Sequence, residues 1–389
     1  MWETAKLGEI CNFEGGSQPP KKEFLYEPTD GYVRFLQIRD FKSNKNITYI
    51  PIAKKNRLCS EDDILIGRYV ASVGQILVGL SGAYNVALMK TIPNEEYISK
   101  GWLHAYLTSP LFQKPLMEVS SRSAQNGFSK DDIYDFDVPL PPIAEQQRIV
   151  AKLDTAFAEI DEAIGSAKTK ENKLVKVRDS LISNFFSDER VEYNTAILSS
   201  VIEKSETINP SSVFPNDEFE YVDVSSVNRN SLQIEETQTL LGAKAPSRAR
   251  RLIKKDDVIF ATVRPTLKRV AIVPAELDRQ VCSTGYIVLR PKPETILSSY
   301  LFYFLISEKV MFEMKKLQSG ASYPAVSDTQ VKSLCISYPS LTEQQLIVDK
   351  LDSAFVEIEL VDKTIKKKQA NYQALKSAIL AQELQSEAA

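Results

Sequence analysis

Two stretches of the chain carry an apolar stripe that advances by alternating steps of three and four residues. The first is Val150, Leu153, Phe157, Ile160, Ile164, Ala167, Leu174, Leu181 and Phe185, interrupted by polar Glu171 and Arg178. The second is Val348, Leu351, Phe355, Ile358, Val361, Ile365, Tyr372, Leu375 and Ile379. This spacing predicts long helices with the narrow seam of a coiled coil. Both starts are marked. Pro142 sits where a first-turn proline is tolerated, and Ser340 with Glu343 has capping-box spacing. Each helix would run some forty residues, roughly 60 Å at about 1.5 Å per residue. Neither can bury its stripe alone, and two matching stripes in one chain most simply bury each other. Ordinary core helices of one large domain are the alternative; the length and the sustained polar outer faces favour a paired spacer.

The two stretches are copies. Glu145–Ile160 returns as Glu343–Ile358, 198 residues later, with twelve of sixteen positions identical, and the register holds without a gap to Leu181 opposite Ile379. Two copies of one long unit, unlike the many short units of a solenoid, predict an intramolecular pseudo-twofold and hence an antiparallel helix pair. The segments between are more distant copies. Phe35-Leu36-Gln37-Ile38 answers to Tyr221-Val222-Asp223-Val224, and Asp62–Ile66 to Asp256–Phe260. Trp102-Leu103 with Tyr106-Leu107 answers to Tyr300-Leu301 with Phe304-Leu305, and Phe128-Ser129 with Ile133 to Val326-Ser327 with Val331. Short β-rich runs such as Val258–Val263 alternate with turn-rich stretches such as Glu14–Pro20. The expected fold class is α+β: two α/β-mixed globular domains, 1–141 and 189–339, separated by two long helices, 142–188 and 340–389, that pair as an antiparallel coiled coil. The matched positions are mostly apolar or turn-forming and the positions between differ freely. Two such domains would do the same kind of job on different targets.

Composition narrows the job. At 389 residues there is room for two or three domains. The formal charge of −3 means that any nucleic-acid affinity must come from local patches. The four cysteines, Cys11, Cys59, Cys282 and Cys335, have neither zinc-site nor redox-pair spacing. No signal peptide and no apolar run near eighteen residues is present, so a cytoplasmic protein without membrane contact is expected. The catalytic inventory is thin. The one histidine, His104, lies in an apolar helical stretch, and there is no Walker loop and no nucleophile elbow. The chain is expected to do no chemistry itself and to bind no metal.

The helix starts read Pro139-Leu140-Pro141-Pro142-Ile143-Ala144-Glu145-Gln146-Gln147 and Tyr338-Pro339-Ser340-Leu341-Thr342-Glu343-Gln344-Gln345, each followed by Ile-Val-x-Lys-Leu-Asp. With the strands beginning Asp63-Ile64-Leu65 and Asp257-Val258-Ile259, and the turn Gln318–Tyr323, the chain resembles the specificity subunit of type I restriction–modification systems over essentially its full length. The resemblance implies a DNA sequence-specificity subunit whose two target-recognition domains each bind one half of a bipartite, asymmetric double-stranded DNA target. It implies a helix pair that sets the gap and docks two modification (methyltransferase) subunits. S-adenosylmethionine would belong to those subunits, and ATP and Mg to the restriction subunits of the full complex, with no cofactor on this chain. A coiled-coil scaffold with two protein-binding heads and no DNA recognition stays open beside it.

Base reading needs Arg, Lys, Asn and Gln at groove edges, with basic groups on phosphates. In the second domain nine basic residues fall within twenty-six positions, among them Lys244, Arg248, Arg250, Arg251, Arg264, Lys268 and Arg269. In the first domain the candidates are Arg39, Lys42, Lys54, Lys55 and Arg68. The equivalent serine- and amide-rich turns add Gln125, Asn126, Ser319 and Ser322. A solvated basic face or a plain loop is the alternative for each group. For the helix pair and its partners the candidates are Glu145, Gln146, Gln147, Leu153, Phe157 and Ile160, with Glu343, Gln344, Gln345, Leu351, Phe355 and Ile358.

Overall fold

The computed structural model describes residues 2–122, 127–186, 193–320 and 323–385. They divide into two compact units, one running to Ala167 and resuming at Lys366, the other Lys168–Ile365. Both cuts fall inside the long helices, Ile143–Phe186 and Leu341–Gln385. Each unit therefore holds one globular domain and one piece of each helix.

In the first unit a short ribbon pairs β1 (Thr4–Lys6) with β10 (Asp137–Pro139). One four-stranded sheet has the order β2 (Cys11–Gly15), β9 (Leu88–Pro93), β6 (Leu65–Gly67), β7 (Ile76–Leu77). The other has the order β4 (Tyr49–Pro51), β3 (Tyr32–Leu36), β8 (Gly82–Tyr84), β5 (Leu58–Cys59), with β3 and β8 parallel at its centre. The second unit repeats the plan. Its ribbon is β11 (Asn194–Ile197) with β20 (Cys335–Tyr338). Its sheets are β12 (Ile202–Glu203), β19 (Tyr286–Pro291), β16 (Val258–Ala261), β17 (Val270–Ile272), and β14 (Gln238–Leu241), β13 (Glu218–Val222), β18 (Val281–Ser283), β15 (Ala249–Leu252). Here β13 and β18 are the parallel pair. Strands β6 and β16 are buried at every position, which explains why they read as continuous apolar runs and not as alternation.

The helices Lys100–Thr108 and Ser298–Ile306 bring Trp102 and Tyr106, or Tyr300 and Phe304, into each core. Those cores are closed by the long helices. Ile149, Leu153, Leu380 and Leu384 join the first, and Ile182, Phe186, Ile347, Val348 and Leu351 the second. Within the first unit the helices run antiparallel, since Lys152 meets Glu383 at 2.7 Å and Asp161 meets Lys376 at 2.8 Å. Lys376 Nζ lies 4.8 Å from the centre of the Phe157 ring. The second unit repeats this contact at the matching positions, with the Arg178 guanidinium 4.8 Å from the Phe355 ring.

The seam departs from the expected stripe. Val361 and Leu375 are exposed and Phe157, Phe355 and Ile358 only half-buried, whereas Ile149, Ile182, Phe186, Ile347, Leu380 and Leu384 are interior. A heptad seam faces one partner helix. These helix ends also turn an adjoining face into a globular core, which rotates burial away from the strict seam.

The largest correction concerns the Glu-Gln-Gln starts. Gln146 and Gln344, expected toward a partner, are fully buried. Gln146 Nε2 donates to the carbonyls of Tyr97 at 2.8 Å and Pro141 at 2.9 Å, and its Oε1 accepts from Ser99 N at 2.8 Å. Gln344 Nε2 donates to Thr295 and Pro339, both at 3.0 Å, and its Oε1 accepts from Leu297 N at 2.9 Å. Each glutamine fixes the start of its long helix to the start of the domain helix beside it. Glu145, Gln147, Glu343 and Gln345 remain at the surface or close to it. Glu145 pairs with Arg148, Glu343 accepts from the Tyr193 hydroxyl, and Gln345 donates to Asp349.

Removing either buried glutamine strands three backbone groups at about 1–3 kcal/mol for each unsatisfied one before water or relaxation recovers part. Gln146→Ala and Gln344→Ala should each lower stability by roughly 2–4 kcal/mol in urea unfolding, and Gln146→Glu by as much, because a carboxylate cannot donate to two carbonyls. The exposed Gln147→Ala should stay within about 0.5 kcal/mol. A loss below about 1 kcal/mol for the alanine variants would show that these bonds do not hold the junction.

Candidate nucleic-acid interface

One end of each domain gathers the loops in which the two copies differ most. Strands β3 and β8 are parallel and finish together at Leu36 and Tyr84. The β3–β4 loop therefore leaves from that end. Arg57 joins it, because its carbonyl accepts from Tyr84 N at 3.0 Å. The exit of β6 joins as well, through Arg68 N to the Ala87 carbonyl at 2.9 Å. The second domain repeats these bonds: Thr284 N to the Arg248 carbonyl and Thr262 N to the Gly285 carbonyl, both at 2.8 Å. The loop starts match too. Gln37 N donates to the carboxylate of buried Asp40 at 2.7 Å, and Asp223 N to the hydroxyl of buried Ser226 at 3.0 Å. A conserved backbone frame thus presents unlike side chains.

In the first domain this end exposes Arg39 and Lys42 on the β3–β4 loop, together with Lys45. Arg57 is tied to Glu14 at 2.7 Å. Arg68 is half-buried. Its guanidinium lies 5.1 Å from the Tyr69 ring and donates to the Phe128 carbonyl, because the segment at Gly127 bridges onto Tyr69. A β-carbon at Gly127 would come within 2.7 Å of that ring, so the close approach requires glycine. Lys54 and Lys55 are exposed in a turn of the β4–β5 loop.

The basic cluster of the second domain divides. Arg248 and Arg264 are exposed at the loop end, and Ser319 is exposed beside the bridge its backbone makes with Ala325. Lys244 is exposed next to the start of β13, since Gly242 N bonds to the Asp217 carbonyl. The others hold the domain together. Arg251 pairs with Asp328 at 2.6 Å and Lys268 with Asp179 at 2.8 Å. Arg250 donates to the Ala249 carbonyl at 2.8 Å. Arg269 donates to the carbonyls of Val224 and Val227 at 2.6 and 3.1 Å. Clustering in sequence did not separate loop anchors from exposed side chains. Gln125, Asn126 and Ser322 lie outside the described residues.

Arg269 leads to a loop that the charge pattern missed. The Ser225–Asn230 segment, equivalent to the loop bearing Arg39 and Lys42, lines a polar cavity with Arg269 and places Arg229 and Asn230 at the surface. It is well braced. Asn228 Oδ1 accepts from Asn230 N at 2.8 Å, and Asn228 Nδ2 donates to Glu235 at 2.7 Å. Ser231 also donates to Glu235, and these two bonds hold its carboxyl below the usual range, so its charge is engaged inside the loop. Extending the match of Phe35–Ile38 to Tyr221–Val224 by a few residues would have found this loop.

Burial pushes the Cys11 thiol up to about 12 and the Cys59 thiol up to about 11. Burial also lowers the pKa of His104, opposed by nearby Asp154. Among the described residues no cluster of three His, Cys, Asp or Glu could hold a metal, and no helix is long and apolar enough to cross a membrane.

Similarity to known proteins converges on one family. The chain is 22% identical over 376 residues to the type I restriction enzyme MjaVIII specificity subunit of Methanocaldococcus jannaschii, covering 90% of this chain and 85% of that protein. It is 21% identical to the EcoKI specificity subunit of Escherichia coli, covering 99% and 89%. Among solved structures, a chain from a type I R-M system superposes with a TM-score of 0.75 at 17% identity, covering 100% of this chain and 98% of that one. The HsdS subunit from Thermoanaerobacter tengcongensis gives 0.52 at 18%, covering 100% and 97%. The profile of the type I restriction modification DNA specificity domain matches twice, at residues 1–169 and 196–368, and the chain belongs to that family.

Proposed function

We propose that this chain reads a bipartite DNA target, each domain contacting one half through the loop end described above, while the helix pair fixes the gap. The observation that carries the reading is one backbone frame built twice with unlike side chains at the same end. Arg39, Lys42 and Lys45 stand in one copy where Arg229 and Asn230 stand in the other. Two different readers in one chain suit an asymmetric target. Half-sites read from one DNA face lie about one helical turn apart, roughly 34 Å, which helices of 44 and 45 residues can bracket.

The chain works in the cytoplasm as a non-catalytic subunit and docks two modification subunits, which supply S-adenosylmethionine. Restriction subunits using ATP and Mg complete the assembly. Docking is supported by large apolar side chains left in solvent on the C-terminal helix, with Val356 and Leu360 each 67% exposed.

The test is selection of bound duplexes from a random pool, using the chain co-expressed with its modification subunit. Two unrelated short motifs at a fixed separation are expected. A pool that stays random at low salt sinks the reading and leaves a protein-binding scaffold. Inserting four residues into both long helices should lengthen the selected gap by a base pair or two, since one turn adds about 5.4 Å, with both motifs unchanged. An unaltered gap would refute the spacer role.

Charge variants separate contact from scaffold. Arg248→Ala should reduce the slope of log affinity against log salt by about 1, as expected for one lost phosphate contact, with unfolding unchanged. Arg251→Ala breaks the pair with Asp328 and should instead lower the unfolding midpoint. The reverse pattern would move the interface elsewhere.

A further inference from the structure

At the loop end of the second domain, Tyr323 stands 71% exposed with the Arg264 guanidinium 4.9 Å from its ring centre. Arg264 holds a left-handed backbone, φ 50°, which costs a non-glycine residue about 1 kcal/mol or more and persists only where the surroundings enforce it. The surroundings are two latches. Arg264 N donates to the Pro324 carbonyl at 2.7 Å, and Val326 N to the Thr262 carbonyl at 2.9 Å. Ser319 and Ala325 exchange both backbone hydrogen bonds, at 3.0 and 2.9 Å. A large flat ring is therefore presented to solvent beside these backbone bonds, flanked by a cation, at the end that also carries Arg229 and Arg248.

Packing does not account for it, because Tyr323 belongs to none of the hydrophobic clusters formed by the described residues. The first domain shows the contrasting solution at the equivalent strand exit. There Arg68 lies over Tyr69, but the ring is half-buried against Gly127 and the guanidinium donates to a backbone carbonyl.

Resting on the DNA-reading proposal, we infer that Tyr323, oriented by Arg264, stacks on a base of the second half-site. In a duplex the ring reaches a base face only where a step is opened or a base extruded, at a cost of a few kcal/mol, and base–aromatic stacks are sequence-tolerant. The contact would add affinity and mark a position without choosing its base.

The experiment uses the chain assembled with its modification subunit and the duplex obtained by selection, carrying 2-aminopurine at successive positions of the second half-site. Tyr323→Ala should weaken binding by roughly 5- to 100-fold, the span of one lost base stack. The salt slope should stay unchanged, and the fluorescence change should vanish at one labelled position. Tyr323→Phe should bind within about twofold of wild type, since the ring persists. Arg264→Ala should weaken binding too, because the ring loses the cation that orients it. Unfolding curves of the Tyr323 variants should match wild type, whereas Tyr69→Ala should shift the unfolding midpoint. Wild-type affinity and fluorescence in Tyr323→Ala would overturn the stacking role while leaving the DNA-reading proposal intact. A wild-type assembly that binds no duplex would overturn both.

Discussion

Everything in each unit depends on how a long helix is joined to a globular domain, and that junction is a polar problem before it is an apolar one. A helix that enters a core brings its own start inside, where amide and carbonyl groups lose water and must find partners. Beside it lies the start of the domain helix, with the same need. One primary amide, carrying two donors and an acceptor, serves both starts. Gln146 and Gln344 do this with matching sets of backbone partners. Glutamate lacks the donors, and asparagine is one methylene shorter. The chemistry of the junction therefore explains why glutamine stands at both Gln146 and Gln344.

With the junction fixed, the apolar faces follow. Leu380 and Leu384, late in the chain, complete the core of the first domain, and Ile182 and Phe186 that of the second. Neither domain closes its core with local sequence alone. Stability is consequently shared between segments far apart in the chain, and the helices are structural parts of the domains as well as connections. The ion pairs between helices, each with one partner exposed, add less by comparison. Freed from that duty, the loop end can vary. Its shape is held by backbone hydrogen bonds and capping side chains such as Asp40 and Ser226, so its outward residues can change without unfolding the frame.

The architecture was legible because it is written in repetition. The 198-residue register placed both long helices within two residues of their observed starts, and the helices at Lys100 and Ser298 stand at matching positions. Orientation of side chains was less legible. Gln146 looks like a surface residue in a polar run, and only its position at a double helix start puts it inside. Val361 and Leu375 satisfy the heptad yet lie exposed, because the spacing records periodicity and not which neighbour is present. Charge was legible as a local excess but not as a surface. Arg251, Lys268 and Arg269 belong to the same sequence cluster as Arg248, and what separates them is a partner 45 to 89 positions away.

That division explains how a chain of net charge −3 can serve a polyanion. Arginines that brace loops keep their cations paired or hydrogen-bonded inside the domain, where they set geometry and contribute little outward field. At the loop ends the exposed cations are few. Specific recognition then relies on positioned contacts more than on long-range attraction, which at physiological salt decays over about 8 Å. A strongly basic face would raise affinity for every sequence alike. Few cations on such a frame keep that background low and leave discrimination to hydrogen bonds at base edges.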